Sequence, residues 1–203
     1  MIFAVAKAIL QPRMELTPEI TLENLSKVIK ERAKNKNPFV IVVSGFGGAG
    51  KTTLAIKLAK SLGQADIIHL DDFIINRLTE RSPDWAGFDW ERLTNEVLLP
   101  ASRRQKKIEY GIYDWVKNKV LEKRILHLKK YIIIEGVGLI KKQLKKYFDV
   151  SVWIDIPLKV ASERGKKRDS ADHEALWDDL WTSNDRDYYE KYQPKNSADF
   201  IVC

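Results

Sequence analysis

The chain has little with which to staple itself together or to bind a soft metal. Its 203 residues include one cysteine, Cys203, and three histidines. That excludes a disulfide framework and a cysteine-rich zinc site, and it fits a reducing, cytoplasmic setting. His69, His127 and His173 stand apart in the sequence and suggest no metal cluster. His69 lies in an apolar run and reads as a core histidine. No apolar run approaches the ~18 residues needed to cross a bilayer. The apolar start, Met1 to Leu10, is interrupted by Lys7 and followed by Gln11-Pro12-Arg13, which is no small-residue cleavage site. It reads as part of the folded protein. Internal repeats and low-complexity linkers are absent.

What is present is ordinary in amount and uneven in place. Hydrophobic residues make up 44% and charged residues 31%, which argues against disorder. The length suits a single domain, with residues 1–38 as an N-terminal extension and helix and 39–203 as the core. Thirty-five Lys+Arg against 28 Asp+Glu give a net charge of +7. Residues 101–147 hold 14 basic and 4 acidic residues, whereas 169–190 hold eight acidic residues and only Arg186 basic. A nucleic-acid patch and a surface that attracts a small polyanion both fit this dipolar pattern.

Apolar periodicity predicts a helix over Thr21 to Asn35 and buried strands at Phe39 to Val43, Tyr131 to Ile134 and Val150 to Ile156. Further strands are expected at Ala65 to Leu70 and Phe200 to Val202, and helices at Thr52 to Leu62, Asp89 to Leu99, Leu139 to Phe148, Leu158 to Arg168 and Asp172 to Tyr192. Ile108 to Trp115 and Val120 to Leu128 suggest a hairpin. Strands alternating with helices indicate an α/β fold with a mainly parallel sheet and helices on both faces.

One segment carries specific chemistry. Gly45-Phe46-Gly47-Gly48-Ala49-Gly50-Lys51-Thr52 fits G-x-x-x-x-G-K-[ST] between a strand and a helix, with Thr53 next. Its glycines let successive N–H groups turn inward around a polyphosphate, and the following helix aims its positive end at the same anion. Lys51 can reach the β- and γ-phosphates, and the Thr52 hydroxyl can ligate Mg²⁺. The expected ligands are therefore ATP (or GTP) and Mg²⁺.

Other segments narrow the use of that loop. Asn118-Lys119-Val120-Leu121 lacks the aspartate of a guanine-reading Asn-Lys-x-Asp, and the Tyr131 strand ends Glu135-Gly136 rather than Asp-Glu. Asp71 and Asp72 follow the second strand, at the sheet edge where open α/β folds bind ligands. A kinase needs a carboxylate there to take a proton from the attacking hydroxyl and to help hold Mg²⁺. Glu135 ends a strand in the same layer and could hold a metal-bound water.

In order along the chain, Gly45 to Thr52, Leu70-Asp71-Asp72-Phe73, Phe88-Asp89, Tyr113-Asp114-Trp115, Ile134-Glu135-Gly136 and Arg164 to Asp169 resemble uridine kinases. These belong to the phosphoribulokinase/uridine kinase group of P-loop kinases. The resemblance runs over roughly residues 39–203 and implies phosphoryl transfer to a hydroxyl of a small molecule, beneath a short lid. By that resemblance Asp71 is the general base, Asp89 holds sugar hydroxyls, and Tyr113 and Trp115 line the nucleoside pocket, with Asp72 also beside the substrate. Arg164 and Arg168, spaced to share one helix face, belong to the lid and stabilise phosphoryl charge. Trp85, Trp90, Trp153, Trp177 and Trp181 read as packing residues.

The chain also departs from this family. Asn118 and Val120 stand where the family has a His and an Arg that read the pyrimidine. Ile74 replaces a tyrosine, and Ser170 to Trp177 carries no arginine. The phosphate machinery is thus better matched than the base-reading machinery. A nucleoside is the first expected acceptor. Pantothenate, nicotinamide riboside or a sugar is the alternative within kinases, and a nucleic-acid-dependent ATPase is the alternative outside them. The partner is expected to be a small molecule, with neither a membrane nor a polynucleotide required, and a homo-oligomer is compatible with the sequence.

Overall fold

The structure, a computed structural model, describes residues 19–75, 79–169 and 173–203. The apolar start at Met1 to Leu10 and the lid positions 170–172 lie outside them. Five strands form a parallel sheet: β1 (Phe39–Gly45), β2 (Ala65–His69), β5 (Tyr131–Gly136), β6 (Val150–Ile154) and β7 (Phe200–Val202), in the order β2-β5-β1-β6-β7. β3 (Lys107–Asp114) and β4 (Lys119–His127) make a separate antiparallel hairpin.

β1, β5 and β6 are buried along their whole length, as strands covered by helices on both faces must be. Their β-branched residues leave no polar side for solvent. β2, an edge strand, alternates between buried and half-buried positions. α1 (Leu22–Arg32) is capped by Thr21, whose side chain accepts the Asn24 N–H at 3.3 Å. α2 (Lys51–Leu62) follows β1 directly. α3 spans 90–102 and contains a π-type turn at Leu93–Leu98. α4 is Leu158–Arg168. α5 spans 174–192 with a second π-type turn at Trp177–Trp181, and α6 is Pro194–Ser197.

The helix expected over Leu139 to Phe148 is absent. That stretch is a turn with one 3₁₀ segment, Lys145–Tyr147. Its polar groups have tertiary partners instead: Tyr188 Oη donates to the Ile140 carbonyl at 2.9 Å, and Lys141 Nζ donates to the Asp84 carbonyl at 2.5 Å. Lys141 is 4% exposed, with Nζ 3.5 Å from the centre of the Trp90 ring. Lys141 is therefore not part of a solvated basic face, whereas Lys142, Lys145 and Lys146 remain exposed. No helix among the described residues is long and apolar enough to cross a membrane.

Topology gathers the chemistry at one edge. β1 lies between β5 and β6, and its carboxyl end feeds the glycine loop. β2 and β5 pair in register with His69 opposite Glu135, and Ser44 lies opposite Gly136. The carboxyl ends of β1, β2 and β5 therefore open onto the same side.

Candidate active site

The glycine loop needs its glycines for two separate reasons. Gly48 and Gly50 have φ of +78° and +96°, a region that residues with a Cβ rarely adopt. A Cβ on Gly48 would also stand 2.0 Å from the Ala161 carbonyl, so α4 rests on the loop backbone. Lys51 Nζ donates to the Phe46 carbonyl at 2.9 Å, folding its side chain over the loop.

Thr52 Oγ1 donates to Glu135 Oε1 at 2.9 Å. The same oxygen lies 2.6 Å from His69 Nδ1. His69 is therefore no core residue. It ends an edge strand, its side chain is 38% exposed, and the Glu135 contact raises its pKa. Burial alone would raise the Glu135 carboxyl, but His69, Lys51 and Thr52 together hold it below the usual range. Only the β2–β5 register puts the two side chains together, and the sequence carries no signal of that pairing.

Asp71 and Asp72 share a 3₁₀ turn, Leu70–Phe73, directly after β2, yet face different neighbours. Asp71 reaches solvent at the mouth of the cleft but sits within enough protein that desolvation, then Glu135, raises its pKa; Lys51, His69 and Arg168 act the other way. Asp72 is also raised by burial, and its opposing neighbours are His69, Arg124, Tyr110 and Arg92. Asp71 thus belongs with the glycine loop and Asp72 with the hairpin. Burial and Asp72 push the Tyr110 hydroxyl up to about 12. Tyr110 stacks on Phe73 at 5.3 Å, which anchors the hairpin to this turn. Tyr110 and Arg124 are site neighbours that sequence reasoning missed, since alternation in a hairpin does not reveal what it packs against.

The remaining expected residues are more dispersed. Asp89 Oδ1 accepts the Arg92 N–H at 2.8 Å and caps α3, which occupies one of its oxygens. Tyr113 and Trp115 meet edge to face at 5.6 Å, and Tyr113 Oη donates to Asn118 Oδ1. No hydrogen bond or ring contact joins either ring to Asp71, Asp72 or Asp89 among the described residues. Arg168 acts on Asp71, Lys51 and Glu135 from the end of α4, and its guanidinium grips Asp169 at 2.8 and 3.1 Å. Arg164 is exposed one turn earlier.

The donor chemistry fits a hard cation held with a polyphosphate. Thr52, Glu135 and Asp71 present oxygen ligands beside Lys51, the set that suits Mg²⁺, which keeps waters and takes few protein ligands. Among the described residues no three His, Cys, Asp or Glu side chains form a ligand cluster by themselves. Phosphate oxygens would complete such a site.

Residues 23–88, which carry β1, the glycine loop, α2, β2 and the Asp71 turn, match the zeta toxin family. A uridine kinase of Psychromonas ingrahamii is 28% identical over 187 residues, covering 83% of this chain and 88% of that protein. Among solved structures, a possible uridine kinase from Bacillus stearothermophilus superposes with a TM-score of 0.70 at 22% identity, covering 90% of this chain and 97% of that one. A protein assigned as a fructose transport system kinase, from Silicibacter sp. TM1040, reaches 0.75 at 22% identity, over 90% and 98%. By that likeness along most of its length the chain is similar to uridine kinases, and it shares with the solved structures an α/β P-loop kinase fold built on a five-stranded parallel sheet.

Proposed function

We propose that the protein transfers the γ-phosphoryl group of ATP to a hydroxyl of a small molecule, with Asp71 as general base. The observation that carries this reading is the clustering of Asp71 with Lys51, Glu135 and Arg168 at the mouth of the glycine loop. A carboxylate whose pKa is raised by its site is a better proton acceptor than a free one. Asp71 takes the proton from the acceptor oxygen as that oxygen attacks phosphorus. Lys51 and Arg168 counter the charge that spreads over the transferring oxygens. Thr52 and Glu135 would hold Mg²⁺, which when bound neutralises phosphate charge. Asp72, facing Tyr110, Arg124 and Arg92, lies on the acceptor side.

A nucleoside is the first acceptor to test, because relatives matched over 83% of the chain are uridine kinases. A sugar is the second, because a similar fold carries a fructose-related assignment. The absence of the family's His and Arg at Asn118 and Val120 favours keeping both. The test is ADP release with Mg²⁺ and ATP over a panel of nucleosides, sugars and pantothenate. Turnover with one acceptor, lost in Asp71→Asn, supports the reading. ATP hydrolysis that polynucleotide stimulates and no acceptor changes would refute it.

A further inference from the structure

The second half of α5 reaches back to the glycine loop across 138 positions of sequence. Asp185 is 1% exposed, and its Oδ2 accepts the Gly47 N–H at 2.6 Å. Its other oxygen, Oδ1, is buried without a hydrogen-bond partner. Asp185 also acts on Lys51, ahead of Glu135 and Asp71 among the charges that favour the ammonium against its burial. On the same helix, Trp177 covers the loop. A Cβ on Gly47 would lie 2.6 Å from that ring, and one on Gly165 of α4 would lie 2.3 Å from it. Trp177 Nε1 donates to Asp169 Oδ2 at 2.9 Å, the carboxylate that also grips Arg168.

A buried carboxylate with one oxygen unpaired is costly, so its retention calls for a use. A carboxylate bound to a phosphate loop could stand in for phosphate and block the cradle, or it could tether the loop from behind. Burial favours the second. Asp185 is buried from solvent and bonds the third residue of the motif, Gly47, and Trp177 packs against that glycine on the side where Asp185 lies. We propose that Asp185 is a positioning residue: it fixes the Gly47 amide, so that α5 holds the glycine loop in its phosphate-binding form. The proposal rests on the nucleotide-binding reading above.

The experiment is calorimetric titration of the full chain with a non-hydrolysable ATP analogue and Mg²⁺, alongside melting curves without nucleotide. Asp185→Ala is expected to bind about tenfold or more weakly, the scale of one charge-assisted hydrogen bond. Asp185→Asn keeps an oxygen for the Gly47 N–H and is expected to lose less. Both are expected to melt no lower than the parent. Asp187→Asn, which breaks the surface pair with Arg81 on the same helix, is expected to bind as the parent does. Unchanged or tighter binding by Asp185→Ala overturns the proposal, tighter binding because the carboxylate would then be a competitor of phosphate. Weaker binding with a lower melting point in both Asp185 variants assigns a merely structural role and also overturns it. A parent chain that binds no nucleotide overturns the nucleotide reading and this proposal with it, whereas normal binding by the parent ties any loss in the variants to Asp185 alone.

Discussion

Replacing Asp185 by Asn is expected to change stability in a way that depends on pH. Burial pushes the Asp185 carboxyl up to about 7 from the usual 3.8, while Lys51 and the Gly47 N–H act against it. A rise of that size corresponds to roughly 4 kcal/mol between the two protonation states. In the unfolded chain the group ionises near 3.8, and in the folded protein near 7. Between these values the folded state binds more protons. The stability present below the lower value is therefore lost as pH rises and is gone above the upper one. About 1.5 kcal/mol has been lost by pH 5 and roughly 4 kcal/mol by pH 8. An amide of the same shape has a fixed cost at both. The difference between Asn and Asp is thus expected to move in favour of Asn by about 2–3 kcal/mol from pH 5 to pH 8. Urea unfolding followed by tryptophan fluorescence at the two pH values measures it, through midpoints at constant slope. A difference that does not vary with pH, or one that moves towards Asp as pH rises, refutes the reasoning.

Other expectations concern the cleft and its surroundings. Asp71→Asn is expected to lower kcat by roughly 10²–10⁴ with little change in nucleotide affinity, the usual contribution of a positioned base; in the parent, kcat falls as acid protonates Asp71. Near-normal turnover in that variant would remove the base assignment. Arg168→Ala is expected to cost more in kcat than Arg164→Ala, because only Arg168 acts on Asp71 and Lys51, and steady-state rates side by side decide it. Lys141→Met tests the buried lysine, whose pKa burial lowers to about 7. The unfolded chain binds the extra proton between about 7 and 10.5, so the parent's disadvantage against Met is expected to shrink as pH rises through that window. Unfolding free energies at pH 7 and 10 check it, and a gap that widens is the contrary result.

Much of the scaffold was legible because it rests on local pattern. Unbroken apolar runs marked β1, β5 and β6, and α4 has the limits that its spacing predicts. The hairpin was legible for the same reason. The segment after β5 was not, since Leu139 to Phe148 has helical spacing but gives its Ile140 carbonyl and Lys141 ammonium to groups 48 and 57 positions away. His69 misled in the opposite direction. It follows two isoleucines, as a core residue would, but an edge strand leaves its last side chain half open.

By itself the sequence determined the glycine loop, because a left-handed backbone at Gly48 and Gly50, followed by Lys51 and Thr52, is a local requirement that only residue types can meet. It also put a carboxylate after β2 and another at the end of β5. Tertiary structure decided which atoms those carboxylates address. The parallel register set His69 on Glu135, the turn after β2 sent Asp71 to the loop and Asp72 to the hairpin, and the fold carried Asp185 back to Gly47. Hydrogen-bond geometry and burial depend on distance in space. Contacts separated by 66 and 138 positions leave no trace in the local pattern of either partner.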